Sequence, residues 1–221
     1  MLSEPEKIRV EFSKTGALKF ISHLDLSRTV QNAFLRSKLP IWYTQGFNPH
    51  PKTVFSPPLS VGVSSECEFM DFKMNEHVPY DEVTERLNAS FPEGLRAIRA
   101  YAPERPFSDI RWAKYEIRME CDDPDLAEKV SVLFSGALET EKTNKNGTKT
   151  VDISGGVELC SCEYERGEII LSVLLSCDEN FFVGPFLLTK CIGEKLPVLA
   201  EAECSACRRA ALLADKKTNF R

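Results

Sequence analysis

The sequence predicts an α+β protein of two tandem domains, each running β-α-β-β-α-β. Three observations carry this reading. KIRVEF and WAKYEIRMEC alternate polar and apolar residues, each is followed by apolar residues at helical spacing, and the same order of elements returns after a connector. The first domain is placed at residues 1–104 and the second at residues 112–221.

Residues 7–12, KIRVEF, alternate as a strand does, and KTG then offers a turn before ALKFIS, so the start reads as a strand or hairpin. In SHLDLSRTVQNAFLRSK, Leu26, Val30, Ala33 and Phe34 recur at helical spacing. Ser22 with Asp25 three residues on matches a capping box, which starts the helix near His23. IWYTQ is β-rich and reads as the second strand, and VSSECEFMDFKM (63–74) alternates and reads as the third. PYDEVTERLNASF has helical spacing through Val83, Leu87 and Phe91 until PEG stops it, and LRAIRAYA is the fourth strand. ERPFSDIR is the connector.

In the second half, WAKYEIRMEC is a strand and DPDLAEKVSVLFSGA a helix opened by an Asp/Pro cap. ETEKTNKNGTKTVDI is a polar hairpin around Asn146-Gly147, and GEIILSVLLSC, the longest apolar run, suits a buried strand. GPFLLTKCIGE opens with Pro and ends near Gly193 as a short helix. LPVLAEAECSACRRAALL closes as a strand or bent pair with a basic tail. The order of elements is that of two tandem ferredoxin-like (βαββαβ) domains. The repeat lies in the element order alone.

Composition narrows the function classes. With 43% hydrophobic and 28% charged residues in 221, the chain is of ordinary globular make-up. It has no apolar run of the roughly 18–20 residues that span a bilayer. The start, MLSEPEKIRVEF, lacks a signal peptide's basic and apolar segments, so a cytoplasmic protein with no membrane partner is expected. Eight cysteines should then stay reduced. Two local pairs stand out, Cys160/Cys162 and Cys204/Cys207. Cys-x-Cys on a strand gives same-face thiols and the wider spacing opposite-face ones, so buried inert thiols are favoured over zinc. Ala200 stands where a CxxxCxxC iron–sulfur pattern would need its first cysteine. No metal and no cofactor are expected.

Net charge is −5, against indiscriminate coating of nucleic acid. Residues 1–58 carry 8 Lys/Arg and 4 Asp/Glu, hence +4, leaving −9 for the remainder. A basic front on an acidic body fits selective contact with an anion.

The candidate site centres on YTQGFNPHPK, residues 43–52. Pro49 and Pro51 fix their own φ and push Asn48 and His50 into extended backbone, while Gly46 can supply a positive φ. His23 sits in the first helical turn, where free N–H groups and the helix dipole favour an anion. Arg28 follows about a turn later, with Asp25 at i−3 and Asn32 at i+4. If the loop meets the helix start, His23, Arg28, Tyr43, Gln45, Asn48, His50 and Lys52 converge on one pocket. Ser22 and Asp25 read as capping residues.

The stretch FISHLDLSRTVQNAFLRSKLPIWYTQGFNPHPKTVFSPPLSVGVSSECEFMDFKM, residues 20–74, resembles the hallmark of a bacterial domain of unknown function, the radical-SAM-linked protein family. Its SHLDL-x-R, LP, Y-[ST]-Q-G-F-N-P-H-P-K and S-x-x-E-x-x-D segments are all matched, and TVDISG and CRRAALL are similar to later segments of that family. The resemblance implies a stand-alone partner of, or C-terminal fusion to, a radical S-adenosylmethionine protein, often encoded near ribosomal-protein and RNA-processing genes. The signature residues it marks are His23, Asp25, Arg28, Gln45, Gly46, Asn48, His50, Lys52, Glu68 and Asp71, none with an established role.

The sequence therefore points first to an accessory protein that binds RNA, or an RNA–protein target, beside a radical SAM partner. Lys14, Lys19, Arg28, Arg36 and Lys52 would meet the backbone, with Tyr43 or Phe47 available for stacking. Enzymatic activity is left open. The alternatives are a metal-independent acid–base enzyme of the RNA-cleavage type using His23 and His50, or a protein-docking module anchored by Phe47, Phe55 and Pro57-Pro58. A metal site of His23, His50, Glu68 and Asp71 is a further alternative. The oligomeric state is not legible.

Overall fold

The first strand is buried on both faces, with Ile8, Val10 and Phe12 on one side and Arg9 on the other, and this sets the architecture. The computed structural model describes residues 4–144 and 147–221, and the chain divides into two units, Met1–Ser108 with Arg221, and Asp109–Phe220. The fold is a mixed α/β one, with antiparallel sheet in each unit and four α-helices among the described residues. No described helix is long and apolar enough to cross a membrane.

In the first unit β1 (Glu6–Lys14) leads through a 3-10 turn (Gly16–Phe20) into α1 (His23–Ser37), followed by β2 (Val54–Ser56) and β3 (Ser64–Met74). Helix α2 (Tyr80–Asn88) and β4 (Leu95–Tyr101) complete it. The strands lie in the order β4-β1-β3-β2, every pairing antiparallel. Ile8, Val10 and Phe12 of β1 turn one face of the sheet into a core with Met70, Phe72 and Met74 of β3. Leu26, Val30 and Phe34 of α1 and Val83 and Leu87 of α2 cover that face. Phe34 meets Phe72 with ring centroids 4.7 Å apart. Helix α1 begins as its capping box requires, with Ser22 Oγ accepting the Asp25 backbone N–H at 3.1 Å.

The opposite face of this sheet carries a buried ion pair. Arg9, fully buried, stands opposite Asp71 in the β1–β3 register. Its Nε donates to Asp71 Oδ1 at 2.7 Å and its Nη2 to Oδ2 at 2.8 Å, a bidentate geometry. Lys7 Nζ adds a contact to Oδ2 at 2.9 Å. The connector crosses over this group: Arg9 Nη1 donates to the Arg105 carbonyl at 2.8 Å, and the guanidinium lies 4.1 Å from the Phe107 ring centroid. Tyr101 of β4 is the other cross-strand neighbour of Arg9. Burial pushes its phenol up to about 12, and its hydroxyl finds no hydrogen-bond partner among the described residues.

Two expectations for this half need correction. IWYTQ is not the second strand: Ile41 and Tyr43 make only isolated bridges, to Met74 and Pro51, and the strand that pairs β3 is Val54–Ser56. The prolines that follow IWYTQ remove ladder donors, which moves the pairing past them. ALKFIS makes no hairpin arm either, because the 3-10 turn Gly16–Phe20 occupies it.

In the second unit β5 (Trp112–Glu120), α3 (Asp125–Leu133), β8 (Val157–Glu165), β9 (Glu168–Asp178), β10 (Phe181–Phe182), α4 (Pro185–Lys195) and β11 (Cys204–Leu212) form the main body. β6 (Glu139–Asn144) and β7 (Gly147–Asp152) make a separate two-stranded sheet, and Asn146 of the expected turn lies outside the described residues. β5 lies between β11 and β9, and β9 also pairs β8 and β10, all antiparallel. Helix α4 runs to Lys195, past the expected stop near Gly193. None of the eight cysteines is in a disulfide. Cys160 is the extra residue of a bulge between Leu159 and Ser161, so β8 does not alternate evenly there. Burial pushes the Cys162, Cys191 and Cys204 thiols up.

Two stability predictions follow from these contacts. Asp71→Ala removes the carboxylate that Arg9 binds through two buried hydrogen bonds and should cost about 3–5 kcal/mol in urea unfolding; a loss below about 1 kcal/mol would contradict the buried pairing. In the second unit Asp215 accepts from the Thr218 hydroxyl at 2.6 Å and from the Thr218 and Lys217 amides at 2.9 and 3.0 Å. These bonds, the Thr218 hydroxyl first, lower its carboxyl from 3.8 to about 2. A depressed folded-state value gives stability that is present above 3.8 and lost as pH falls through about 2. The melting-temperature gap between wild type and Asp215→Ala should therefore be open near neutral pH and close across that window; a gap that persists at the acid end would contradict it.

Candidate functional site

The segment leaving α1 is fastened before it reaches the loop. Lys38, in left-handed backbone at φ 54°, ends the helix, and Leu39 and Ile41 are buried. The Trp42 N–H donates to the Lys73 carbonyl at 2.8 Å, the Asn75 N–H to the Pro40 carbonyl at 2.8 Å, and Asn75 Nδ2 to the Ile41 carbonyl at 3.2 Å. Residues 40–42 are thus tied to the end of β3.

The loop then closes on itself. Tyr43 bridges Pro51, the Thr44 N–H donates to the His50 carbonyl at 3.0 Å, and the His50 N–H donates to Thr44 Oγ1 at 3.1 Å. Gly46 turns the chain at φ 140°, a conformation that disfavours any side chain. His50 Nδ1 lies 2.9 Å from the Asn48 carbonyl and 3.3 Å from Thr44 Oγ1. A carbonyl only accepts, so the 2.9 Å contact requires the proton on Nδ1 and leaves Nε2 for an outside partner. Gln45, Phe47, Asn48, His50 and Lys52 are exposed on this clasp, whereas Tyr43 is half-buried against the core.

The loop exits into β2, whose Phe55 stands opposite Met70 on the helix-covered face. Phe55 takes His23 edge-on at 5.4 Å and Phe12 at 6.2 Å. Lys52 is three residues from Phe55, at most about 11 Å along an extended chain. The start of α1 and the exit of the loop therefore share one neighbourhood. A bond from the Gly62 N–H to the Lys19 carbonyl at 2.8 Å brings the segment after β2 to the same place.

Within it the expected residues separate by role. The Ser22 hydroxyl donates to Asp25 Oδ2 at 2.7 Å, and Asp25 Oδ1 lies 3.5 Å from Arg28 Nη1. Asp25 thus places its own carboxylate at the helix N-terminus, where the sequence alone suggests an external anion. Arg28 is 65% exposed, and so long a surface contact holds it by less than about 1 kcal/mol. Among the described residues no hydrogen bond, ion pair or ring contact joins His23 to His50, and no cluster of three or more His, Cys, Asp or Glu is placed to hold a metal. Asp71 belongs to the Arg9 pair on the opposite face, and Glu68 is buried opposite Phe12.

Of the cations expected at a backbone, Lys14 is buried and the Arg36 guanidinium donates to the Ser90 carbonyl at 2.6 Å. Lys19, Arg28 and Lys52 remain, and Lys52 has no ion-pair partner among the described residues. The sequence reading missed three features. Phe20 (63% exposed) and Leu24 stand open at the start of α1, the first of these under Lys19 Nζ at 5.0 Å, and Thr44 acts as the loop's clasp. Phe47, which the sequence already offers for stacking, has its whole ring in solvent. In the second unit a cleft of about 720 Å³ is lined by Glu120, Asp122, Asp123, Glu168, Glu201 and Glu203 with Arg166, a lining that repels phosphate.

These features define one surface of a mixed α/β fold: a stiff polar loop with one exposed ring, beside a helix start flanked by cations. The chain belongs to a bacterial family described as an uncharacterized protein conserved in bacteria (DUF2344), whose pattern matches residues 7–185. A comparison with curated proteins finds no match.

The clasp makes a direct prediction. Thr44→Val removes the acceptor of the His50 amide, a bond worth about 1 kcal/mol. Hydrogen exchange of that amide should quicken about 5-fold by NMR, while an unchanged rate would mean that the prolines alone hold the loop.

Proposed function

We propose that this protein is a non-enzymatic accessory domain that binds RNA, or an RNA–protein target, alongside a radical SAM partner in the cytoplasm. The observation that carries it is that the segments bearing Lys52, Arg28 and Lys19, cations weakly compensated or without an ion-pair partner, adjoin through the Phe55–His23 and Gly62–Lys19 contacts beside a rigid loop with an exposed aromatic ring. An acidic chain that keeps such a face basic fits local contact with a polyanion. The radical SAM partner rests on the resemblance of residues 20–74 to that linked family. The strand order β4-β1-β3-β2, repeated as β11-β5-β9-β8, supports reading the chain as two ferredoxin-like domains, a plan compatible with RNA binding by fold analogy alone.

Binding is favoured over acid–base chemistry because no described contact joins His23, which rests on Phe55, to His50, whose Nδ1 is held within its own loop. Docking through Phe55 is disfavoured because that ring packs on the core cluster.

The test is the salt dependence of RNA affinity. Each phosphate contact on a single strand contributes about −0.7 to the slope of log K against log salt. Lys52→Ala should reduce the slope by about that amount with the fold unchanged by circular dichroism. A purified protein with no salt-dependent RNA binding, and no radical SAM protein co-purifying with it, would overturn the proposal.

A further inference from the structure

We infer that the loop takes an unpaired RNA base, stacked on Phe47 and read at its edge by Gln45, Asn48 and His50; this rests on the RNA-binding reading above. A ring held wholly in solvent on a loop that is closed at Thr44–His50 and stiffened by two prolines has no role in packing its own unit. The backbone arrangement holds it there. Gly46 at φ 140° fixes the turn, and the chain on either side is anchored at Tyr43 and Pro51.

The chemistry around the ring selects the partner. Apart from the Pro49 ring, the loop neighbours of Phe47 that are exposed with it are amides, an imidazole and an ammonium. An apolar protein surface would leave those donors and acceptors unpaired, at a cost that rises as water is excluded. A nucleobase satisfies both parts, since its face stacks on an aromatic ring and its edge carries mixed donors and acceptors. The Nδ1-protonated form of His50 offers Nε2 as an acceptor, whereas Gln45 and Asn48 offer both kinds of group. Lys52, with no ion-pair partner among the described residues, is available for the adjoining phosphate. Within a duplex each base face is covered by its neighbours, so only an unpaired nucleotide presents what Phe47 requires.

The experiment measures fluorescence anisotropy with a labelled single-stranded RNA 12-mer, its duplex, and the same strand made abasic, for wild type, Phe47→Ala and Phe47→Trp. Phe47→Ala should bind the single strand about 10-fold more weakly. Phe47→Trp should retain affinity, with its tryptophan emission quenched on binding. The abasic strand should bind wild type and Phe47→Ala alike, because it keeps phosphates and lacks faces to stack. Equal binding of the single strand by wild type and Phe47→Ala overturns the stacking inference and leaves the RNA-binding reading standing, as does a duplex bound as tightly as the single strand. No binding of any RNA by wild type overturns that reading itself. Loss of a protein partner on Phe47→Ala with RNA affinity unchanged assigns the ring to protein docking and likewise overturns the inference.

Discussion

The bidentate pair of Arg9 with Asp71 decides which residues of β1 and β3 face one another, and the rest of the first unit depends on that register. Strand side chains alternate, so a slip of one residue would bring Ile8, Val10 and Phe12 out of the core and drive their charged neighbours into it. A buried ion pair is a poor source of net stability, since desolvation offsets much of the attraction. Its value here is geometric. A guanidinium that has lost water needs the particular carboxylate opposite it, and the Arg105 carbonyl and Phe107 ring close over the pair.

That register also places the candidate site. Asp71 is the cross-strand neighbour of Val54, so the alignment that pairs it with Arg9 puts Phe55 on the helix-covered face. Phe55 then meets both Phe12 and His23, joining the short strand after the loop to the start of α1. The loop is therefore held at two ends, by residues 40–42 against the end of β3 and by β2 against its middle. Stiffness lowers the ordering cost of whatever binds there. The signature residue Asp71 thus acts on the site from beneath, without touching it.

Much of this was legible in the chain because local rules and tertiary packing agree. Ser22 and Asp25 announced the start of α1, and Leu26, Val30, Ala33 and Phe34 announced its buried stripe. The reading failed where local propensity met long-range pairing. IWYTQ has strand composition, yet its partner edge goes to Val54–Ser56 beyond the prolines. β8 gave no clear pattern because its residues are half-buried or exposed throughout and a bulge interrupts it at Cys160. The site residues were picked by type and spacing, which cannot tell an exposed cation from a buried one. Lys14 and Lys52 look alike in sequence, and only one of them reaches solvent. Likewise Tyr43 and Phe47 are both aromatic, but alternation around the bridge to Pro51 turns the first against the core.

Charge distribution, loop rigidity and the exposed ring favour the first unit as the proposed RNA-binding surface, whereas the cleft of the second unit is acidic. Ultraviolet cross-linking of the intact protein to a single-stranded RNA, with the attachment points located by mass spectrometry, tests that placement most directly. The account predicts cross-links concentrated in the peptides that carry Phe47 and the Lys19–Phe20 turn. Cross-links confined to the second unit, or spread evenly over both, would contradict it.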